Sequence, residues 1–161
     1  MQKITPFLWF DTEAEDAMNY YVSIFRNSRV LGVQRYGEAG ARSSGKPQGS
    51  VMTASFVLHG QEFVALNGGP DYRISPAVSF VVNCETQQEI DDLWTKLSAG
   101  GEEIQCGWLT DKFGVSWQVV PVVLGKLLDD PDAAKSEKVM QALLQMKKID
   151  IAGLQHAYSG R

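Results

Sequence analysis

Histidine and cysteine are scarce in this sequence of 161 residues, which has two of each. Neither Cys84 nor Cys106 belongs to a Cys-x-x-Cys pair, so the spacing typical of a zinc site is missing. Two cysteines without such a spacing are better explained as two reduced thiols than as a disulfide. His59 precedes a turn glycine and His156 lies near the end of the chain, positions where a histidine is usually solvated.

Long apolar runs and excess positive charge are also absent. No apolar run approaches the roughly 18 residues that a membrane-spanning helix needs, and the first residues turn acidic too early for a signal peptide. The formal net charge is −4, and no basic stripe of the kind that binds phosphates is present. We therefore predict a cytoplasmic protein that has neither membrane nor nucleic acid as a partner.

Apolar periodicity defines a first module at residues 3–70. Residues 4–10 have the pattern of a strand, and Asp11 begins a stretch whose apolar residues recur at helical spacing. Strands are predicted at 28–36 and, around a His-Gly turn, at 50–58 and 61–69. The glycine-rich residues 37–49 lack periodicity and are predicted to form a loop that is mobile or gated by a ligand.

The same order recurs about 73 residues further on, at residues 76–121. It comprises a strand at 77–84, a helix at 85–101 and strands on both sides of the Asp-Lys-Phe-Gly turn. An amphipathic helical tail is predicted at 122–158, covering a sheet edge or a neighbouring subunit. The fold class is therefore α+β, with two βαβββ modules in one domain that spans residues 1–161.

Several stretches resemble a known family, notably ALNGGP (65–70) and CGWLTDKFGVSWQVVP (106–121). They are similar to the PhnB-like branch of the vicinal oxygen chelate superfamily, which includes glyoxalases, bleomycin-resistance proteins and dioxygenases. This branch is often labelled 3-demethylubiquinone-9 3-methyltransferase. The resemblance implies two modules whose curved mixed sheets surround a cavity, and it implies a homodimer.

The superfamily's usual metal site uses histidine and glutamate from inner strands of both modules. In this sequence the first-strand positions fall near Ile4 and Ala77, and the last-strand positions fall on Asn67 and Gln118. Neutral amides are weak metal ligands and good hydrogen-bonding groups. The departure from the family pattern at these positions therefore predicts a small-molecule pocket with no metal and no cofactor.

We predict that five residues line this pocket, namely Trp9, Asn67, Phe80, Trp108 and Gln118. For Trp9 and Trp108, ligand contact and ordinary core packing are equally compatible with the sequence. Trp117 and Gln118 are neighbours on one strand and should point to opposite faces, so only one of them faces the pocket. No catalytic residue is assigned, because Cys106 has no evident activating base and is better explained as a packing thiol.

Three functions are compatible with these patterns. The first is metal-free binding of a small aromatic or amphipathic molecule, and the second is a metal-dependent enzyme acting on vicinal oxygens. The third is the methyltransferase of the family label. A glycine-rich loop that opens a helix would support the third, but the glycine pair in ALNGGP is followed by a predicted strand.

Overall fold

The computed structural model describes residues 2–160, and the chain divides into two compact units, Met1–Ile74 and Ser75–Arg161. The first unit contains β1 (Phe7–Phe10), α1 (Ala14–Ile24), β2 (Arg29–Arg35), α2 (Glu38–Ser44), β3 (Val51–Leu58) and β4 (Gln61–Asn67). Its four strands form one mixed sheet, sheet 1, in the order β1-β4-β3-β2. The β1–β4 pair is parallel and the other pairs are antiparallel.

Helix α1 covers one face of sheet 1, as its apolar stripe predicts. Tyr21 is fully buried and its ring lies 6.1 Å from that of Phe56 on β3. Phe56 in turn stacks on Phe63, its cross-strand partner on β4, with 5.5 Å between ring centroids. Burying an aromatic side chain of this size contributes about 2–3 kcal/mol, so this aromatic cluster is a main source of the unit's stability.

The segment between β2 and β3 differs from the prediction. Residues Glu38–Ser44 form α2, so the expectation of an irregular loop over 37–49 is wrong for these seven residues. Two alanines and an i,i+4 ion pair between Glu38 and Arg42 favour the helix, which ends at Gly45 in the left-handed conformation with φ 73°. The glycine and serine residues of this segment are typical of a loop, so the short helix was not predicted from the sequence.

The second unit repeats the strand order of the first and adds three helices. It contains β5 (Ser79–Cys84), α3 (Gln87–Ser98), β6 (Glu102–Glu103), β7 (Trp108–Thr110), β8 (Ser116–Pro121), α4 (Val122–Leu128), α5 (Ala133–Leu143) and α6 (Ile151–Ser159). The strands form sheet 2 in the order β5-β8-β7-β6, and β5 and β8 are parallel. Helix α3 covers one face of sheet 2 with its four buried residues, Ile90, Leu93, Trp94 and Leu97.

The C-terminal helices α4, α5 and α6 share a small apolar core, and partly buried residues of sheet 2, such as Val120, pack against it. The backbone of Cys106 donates to Met146 O, and that of Gly107 donates to Lys147 O, both at 2.8 Å. Gly107 has a φ of 81°, and a Cβ added to this residue would lie 2.8 Å from a side-chain carbon of Ile149. Only glycine fits this close approach, which joins the helical tail to the connection between β6 and β7.

The observed architecture confirms the predicted α+β class, with two open four-stranded mixed sheets and six helices among residues 2–160. Within the same residues, no helix combines the length and the apolarity that a bilayer span requires.

Candidate functional site

The turn in the tryptophan-rich hairpin is organised by the buried carboxylate of Asp111. Its Oδ1 accepts from the backbone N–H groups of Phe113 and Val115, at 2.8 and 3.0 Å. Its Oδ2 accepts from the indole N–H of Trp117 at 2.8 Å. Three donors compensate for the desolvation of the carboxylate, which is 2% exposed. The conspicuous Asp-x-x-Gly turn is therefore a structural element that orients Trp117.

Trp117 lies on the face of sheet 2 that packs against α3, where it is 3% exposed. Phe80 is its register partner on β5, and the two ring centroids are 5.5 Å apart. Phe80 therefore shares the α3 face with Trp117. Because alternate strand residues point to opposite faces, Gln118 points to the other side of the sheet from both.

The opposite face of sheet 2, here called the α3-distal face, carries Ser79, Val81, Trp108, Thr110, Ser116 and Gln118. Gln118 pairs with Trp108 on one side and with Val81 on the other. Its Nε2 donates to Ser79 Oγ at 2.9 Å. Trp108 and Gln118 are both half-buried. Two of the five predicted pocket residues thus lie side by side on this face.

A row of hydroxyls borders this pair. Ser116 is in register with Ser79 on β5 and with Thr110 on β7. Ser116 is 0% exposed, and among residues 2–160 its Oγ is the one buried side-chain N or O atom that has no hydrogen-bond partner. An unpaired buried polar group costs about 1–3 kcal/mol. The sequence analysis missed Ser116 and Ser79, although Ser116 lies two residues before Gln118 and shares its face by strand alternation.

Asn67 lies on the face of sheet 1 that α1 covers, and it borders an open cavity beside the first turn of α1. Its buried side chain accepts from the backbone N–H of Ala14 at 2.8 Å and donates to Val51 O at 3.1 Å. The hydroxyl of Tyr36 donates to its backbone carbonyl at 2.6 Å. Since Glu13 makes no side-chain cap bond, Asn67 supplies the acceptor that the first turn of α1 requires.

Trp9 occupies the face of sheet 1 that points away from α1, in register with Leu66. Its indole N–H donates to Gly69 O at 2.9 Å, and its ring makes an edge contact with Tyr72 at 5.0 Å. A Cβ on Gly68 would lie 2.4 Å from the indole ring. The glycine pair of ALNGGP is therefore explained by the close approach of the chain to Trp9.

An open cavity of about 440 Å³ lies beside the first turn of α1 in the first unit. Glu15, Asp16 and Lys46 contribute its charged lining. The ammonium group of Lys46 is bound to Asp11, at 2.9 Å from its backbone oxygen and 3.2 Å from Oδ1. This ion pair links the α2–β3 connection to the β1–α1 corner.

The ends of the parallel strand pairs indicate a second candidate, besides Asn67, for the last-strand metal position in the first module. The parallel pairs end at Phe10 with Asn67 in one unit and at Cys84 with Pro121 in the other. Gln118 lies three residues before Pro121, so its counterpart three residues before Asn67 is Val64. Within residues 2–160, no group of three or more histidine, cysteine, aspartate or glutamate side chains is arranged to hold a metal ion.

Cys84 lies on the α3 side of β5, whereas Cys106 precedes β7 and packs together with Val120 against the tail helices. Burial raises the pKa of the Cys84 thiol to about 12, and the charge of Glu89 adds to this effect. Cys106 Sγ lies 3.7 Å from Leu143 O and packs against the tail helices. His59 is exposed in the β3–β4 turn with φ 48°, and His156 is exposed on α6.

The two open mixed sheets, each with a helix on one face, define a fold of the glyoxalase/bleomycin-resistance type. A family model described as 3-demethylubiquinone-9 3-methyltransferase matches residues 2–120. The solved structure of a PhnB protein from Bacillus cereus is 39% identical with a TM-score of 0.67, and the match covers 75% of this chain and 100% of that chain. The chain therefore belongs to this PhnB-like family, as the sequence resemblance predicted.

More distant structures share the fold alone. A protein from Pseudomonas aeruginosa is 23% identical with a TM-score of 0.60, covering 75% of this chain and 98% of its own. The fosfomycin resistance protein FosX from Listeria monocytogenes is 11% identical with a TM-score of 0.54, covering 80% and 98%. A search of curated proteins finds no match to this chain.

Proposed function

We propose that this chain is a small-molecule-binding protein of the glyoxalase/bleomycin-resistance type that works without the superfamily's usual metal site. The α3-distal face of sheet 2 is the proposed site, and Trp108 and Gln118 are its proposed ligand contacts. The proposal rests mainly on the position of Gln118, which lies beside the half-buried Trp108 and next to the row of hydroxyls described above. An aromatic surface with a few fixed polar groups is the common composition of ligand sites.

The polar groups on this face retain hydrogen-bonding capacity. Gln118 uses Nε2 to bind Ser79, and no residue in the range 2–160 donates to its Oε1. Nor does the hydroxyl hydrogen of Ser79 have an acceptor in that range, since Ser79 Oγ serves as the acceptor for Gln118. A ligand that approaches Trp108 therefore meets one free acceptor and at least one free donor.

The other three predicted pocket residues have contacts within their own units. We propose that Asn67 supports α1, that Phe80 supports Trp117, and that Trp9 fixes the chain at Gly68 and Gly69. These roles are supported by the hydrogen bonds and ring contacts of each residue.

The residues at the metal positions support a metal-free site. Val64 offers no ligand atom, and the carboxamide of Gln118 is a neutral oxygen donor, whereas the usual site uses histidine and carboxylate. The metal-dependent enzyme remains the main alternative because the fold is shared with that superfamily. Metal analysis of the purified protein separates the two: one divalent ion per chain, lost in Gln118→Ala, would favour the enzyme.

The methyltransferase of the family description is a second candidate, because the family model carries that name. The methyl donor S-adenosylmethionine usually binds at a glycine-rich loop between a strand and a helix. Gly68 and Gly69 instead contact Trp9. Calorimetric titration with S-adenosylmethionine tests this candidate. Measurable heat that saturates at one molecule per chain would overturn the binding-protein proposal.

We also propose a homodimer. Support comes from β2, an edge strand that is exposed along all seven residues and presents Val30, Leu31 and Val33 to solvent. Exposed edge strands with apolar side chains are common sites of pairing between chains. Analytical ultracentrifugation of the wild type and of Leu31→Lys tests this, and a monomeric wild type would contradict the proposal.

A thermal-shift screen with a library of small aromatic compounds tests the binding function. A compound that binds the folded state at one hundred times its Kd adds about 2.7 kcal/mol of stability, which is readily measured. We expect hits for the wild type that disappear in Trp108→Ala and in Gln118→Ala. Gln155→Ala, at an exposed position on α6, is the matched control and should retain them.

A further inference from the structure

Ser116 is a polar residue with no structural task in the described part of the chain. Its Oγ is buried and unpaired, whereas the other conspicuous polar groups of the hairpin, such as Asp111 and Trp117, are bonded to one another. Buried hydroxyls in folded proteins are almost always paired, so an exception requires an explanation.

Strand alternation gives the direction of this hydroxyl. Trp117 points towards α3, so its neighbours Ser116 and Gln118 both point to the α3-distal face. There Ser116 lies between Ser79 on β5 and Thr110 on β7. The unpaired group therefore faces the surface that carries the proposed ligand contacts.

The charges around this row restrict the ligand. The row of Ser79, Ser116 and Thr110 continues to Glu102 on β6, the register partner of Thr110. The neighbouring row consists of Val81, Gln118 and Trp108. Neither row contains a cationic side chain, and the exposed carboxylate of Glu102 repels an anion. The hydroxyls and the carboxamide on this face are neutral hydrogen-bonding groups, so they match a ligand that is polar and uncharged.

We infer that the site takes an uncharged, planar molecule in which a carbonyl oxygen lies next to an N–H or O–H group, as in a lactam. This inference rests on the proposed function. The carbonyl accepts from the hydroxyls of Ser116 and Ser79, the adjacent donor binds Gln118 Oε1, and the flat ring lies against Trp108. Because Ser116 Oγ is covered, entry requires a neighbouring side chain to turn.

The inference is tested with four simple probes followed by NMR of the ¹⁵N-labelled full chain. The probes are 2-pyridone, a neutral lactam; N-methyl-2-pyridone, which lacks the donor; benzoate, an anion; and benzylamine, a cation. The indole N–H signal of Trp108 and the side-chain amide of Gln118 report binding, and Trp108→Phe and Gln118→Ala assign these signals. We expect 2-pyridone to bind about tenfold more tightly than each of the others, the effect of one lost or unpaired hydrogen bond.

Ser116→Ala provides the residue-specific test. The Ser116 hydroxyl has no hydrogen-bond partner among residues 2–160, so the variant should be as stable as the wild type or more stable. Its affinity for 2-pyridone should fall by about five- to tenfold. Ser23→Ala, at an exposed position on α1, should change neither quantity.

The outcomes separate this inference from the proposed function. If no probe shifts the signals of Trp108 and Gln118, the face is not a binding site and both fail. If benzoate or benzylamine binds as tightly as 2-pyridone, the ligand class is wrong while the binding function stands. Unchanged affinity in Ser116→Ala would show that the hydroxyl binds only ordered water, and the role assigned to it would be overturned.

Discussion

Replacing Asn67 with alanine distinguishes a structural role from a ligand-binding one. The change removes the acceptor for Ala14 N–H, a group in a residue that is fully buried, and leaves that donor unpaired. An unpaired buried donor costs about 2 kcal/mol, and the small cavity left by the carboxamide adds about 1 kcal/mol. Val51 is half-buried, so water can replace the bond to its carbonyl. We therefore expect a loss of about 3 kcal/mol in the free energy of unfolding.

Urea unfolding followed by circular dichroism measures this loss through the shift of the midpoint at constant slope. Asn83→Ala, at an exposed position on β5, should stay within about 0.5 kcal/mol of the wild type. Asn67→Asp keeps an oxygen next to Ala14 N–H and should recover part of the stability. A loss below about 0.5 kcal/mol for Asn67→Ala, combined with weaker ligand binding, would refute the capping role and return Asn67 to the pocket.

Three further predictions follow from single contacts. Gly68→Ala places a methyl group 2.4 Å from the Trp9 ring, so the indole must move, and we expect a red-shifted tryptophan emission and a loss of about 1–3 kcal/mol in urea unfolding; unchanged emission would contradict the contact. Because burial raises the pKa of Cys84 to about 12, its thiol should resist iodoacetamide at pH 8 until the protein unfolds, and mass spectrometry of the alkylated peptides would contradict this if Cys84 reacted in the native state. Gln118→Glu should raise the affinity for Zn²⁺ or Mn²⁺, measured by calorimetry, and equal heats for variant and wild type would show that this position does not border a chelating site.

The linkage at Cys84 also predicts how stability depends on pH. A thiol whose pKa is raised on folding makes its full contribution to stability below the pKa of the unfolded thiol, which is 9.0. As pH rises from 9 towards 12, the unfolded chain loses the proton while the folded chain keeps it, so stability falls by up to about 1.4 kcal/mol per pH unit from this group. Cys84→Ala should flatten that part of the profile.

Local patterns were sufficient for most of the fold. The two apolar runs at 50–58 and 61–69, with a His-Gly turn between them, predicted the hairpin that became β3 and β4. The apolar stripe after Asp11 predicted α1. Helix α2 was missed because its glycine and serine residues have low helix propensity, and the ion pair that supports it depends on helical spacing.

The candidate site was only partly predictable. Strand alternation predicts that Trp117 and Gln118 point to opposite faces, and the same rule applied two residues before Gln118 would have identified Ser116. The direction of Phe80 depends on its register with Trp117, and the role of Asn67 depends on where the first turn of α1 packs. Both are fixed by contacts between residues far apart in sequence, which a single sequence does not reveal.

Native mass spectrometry of the protein purified gently from its source tests the central claim most directly. The account predicts a wild-type mass that includes one small organic molecule, the loss of that molecule in Gln118→Ala, and no bound divalent ion. A mass that instead shows one metal ion per chain, present in the wild type and absent in Gln118→Ala, would contradict a site built from an amide, hydroxyls and an aromatic ring.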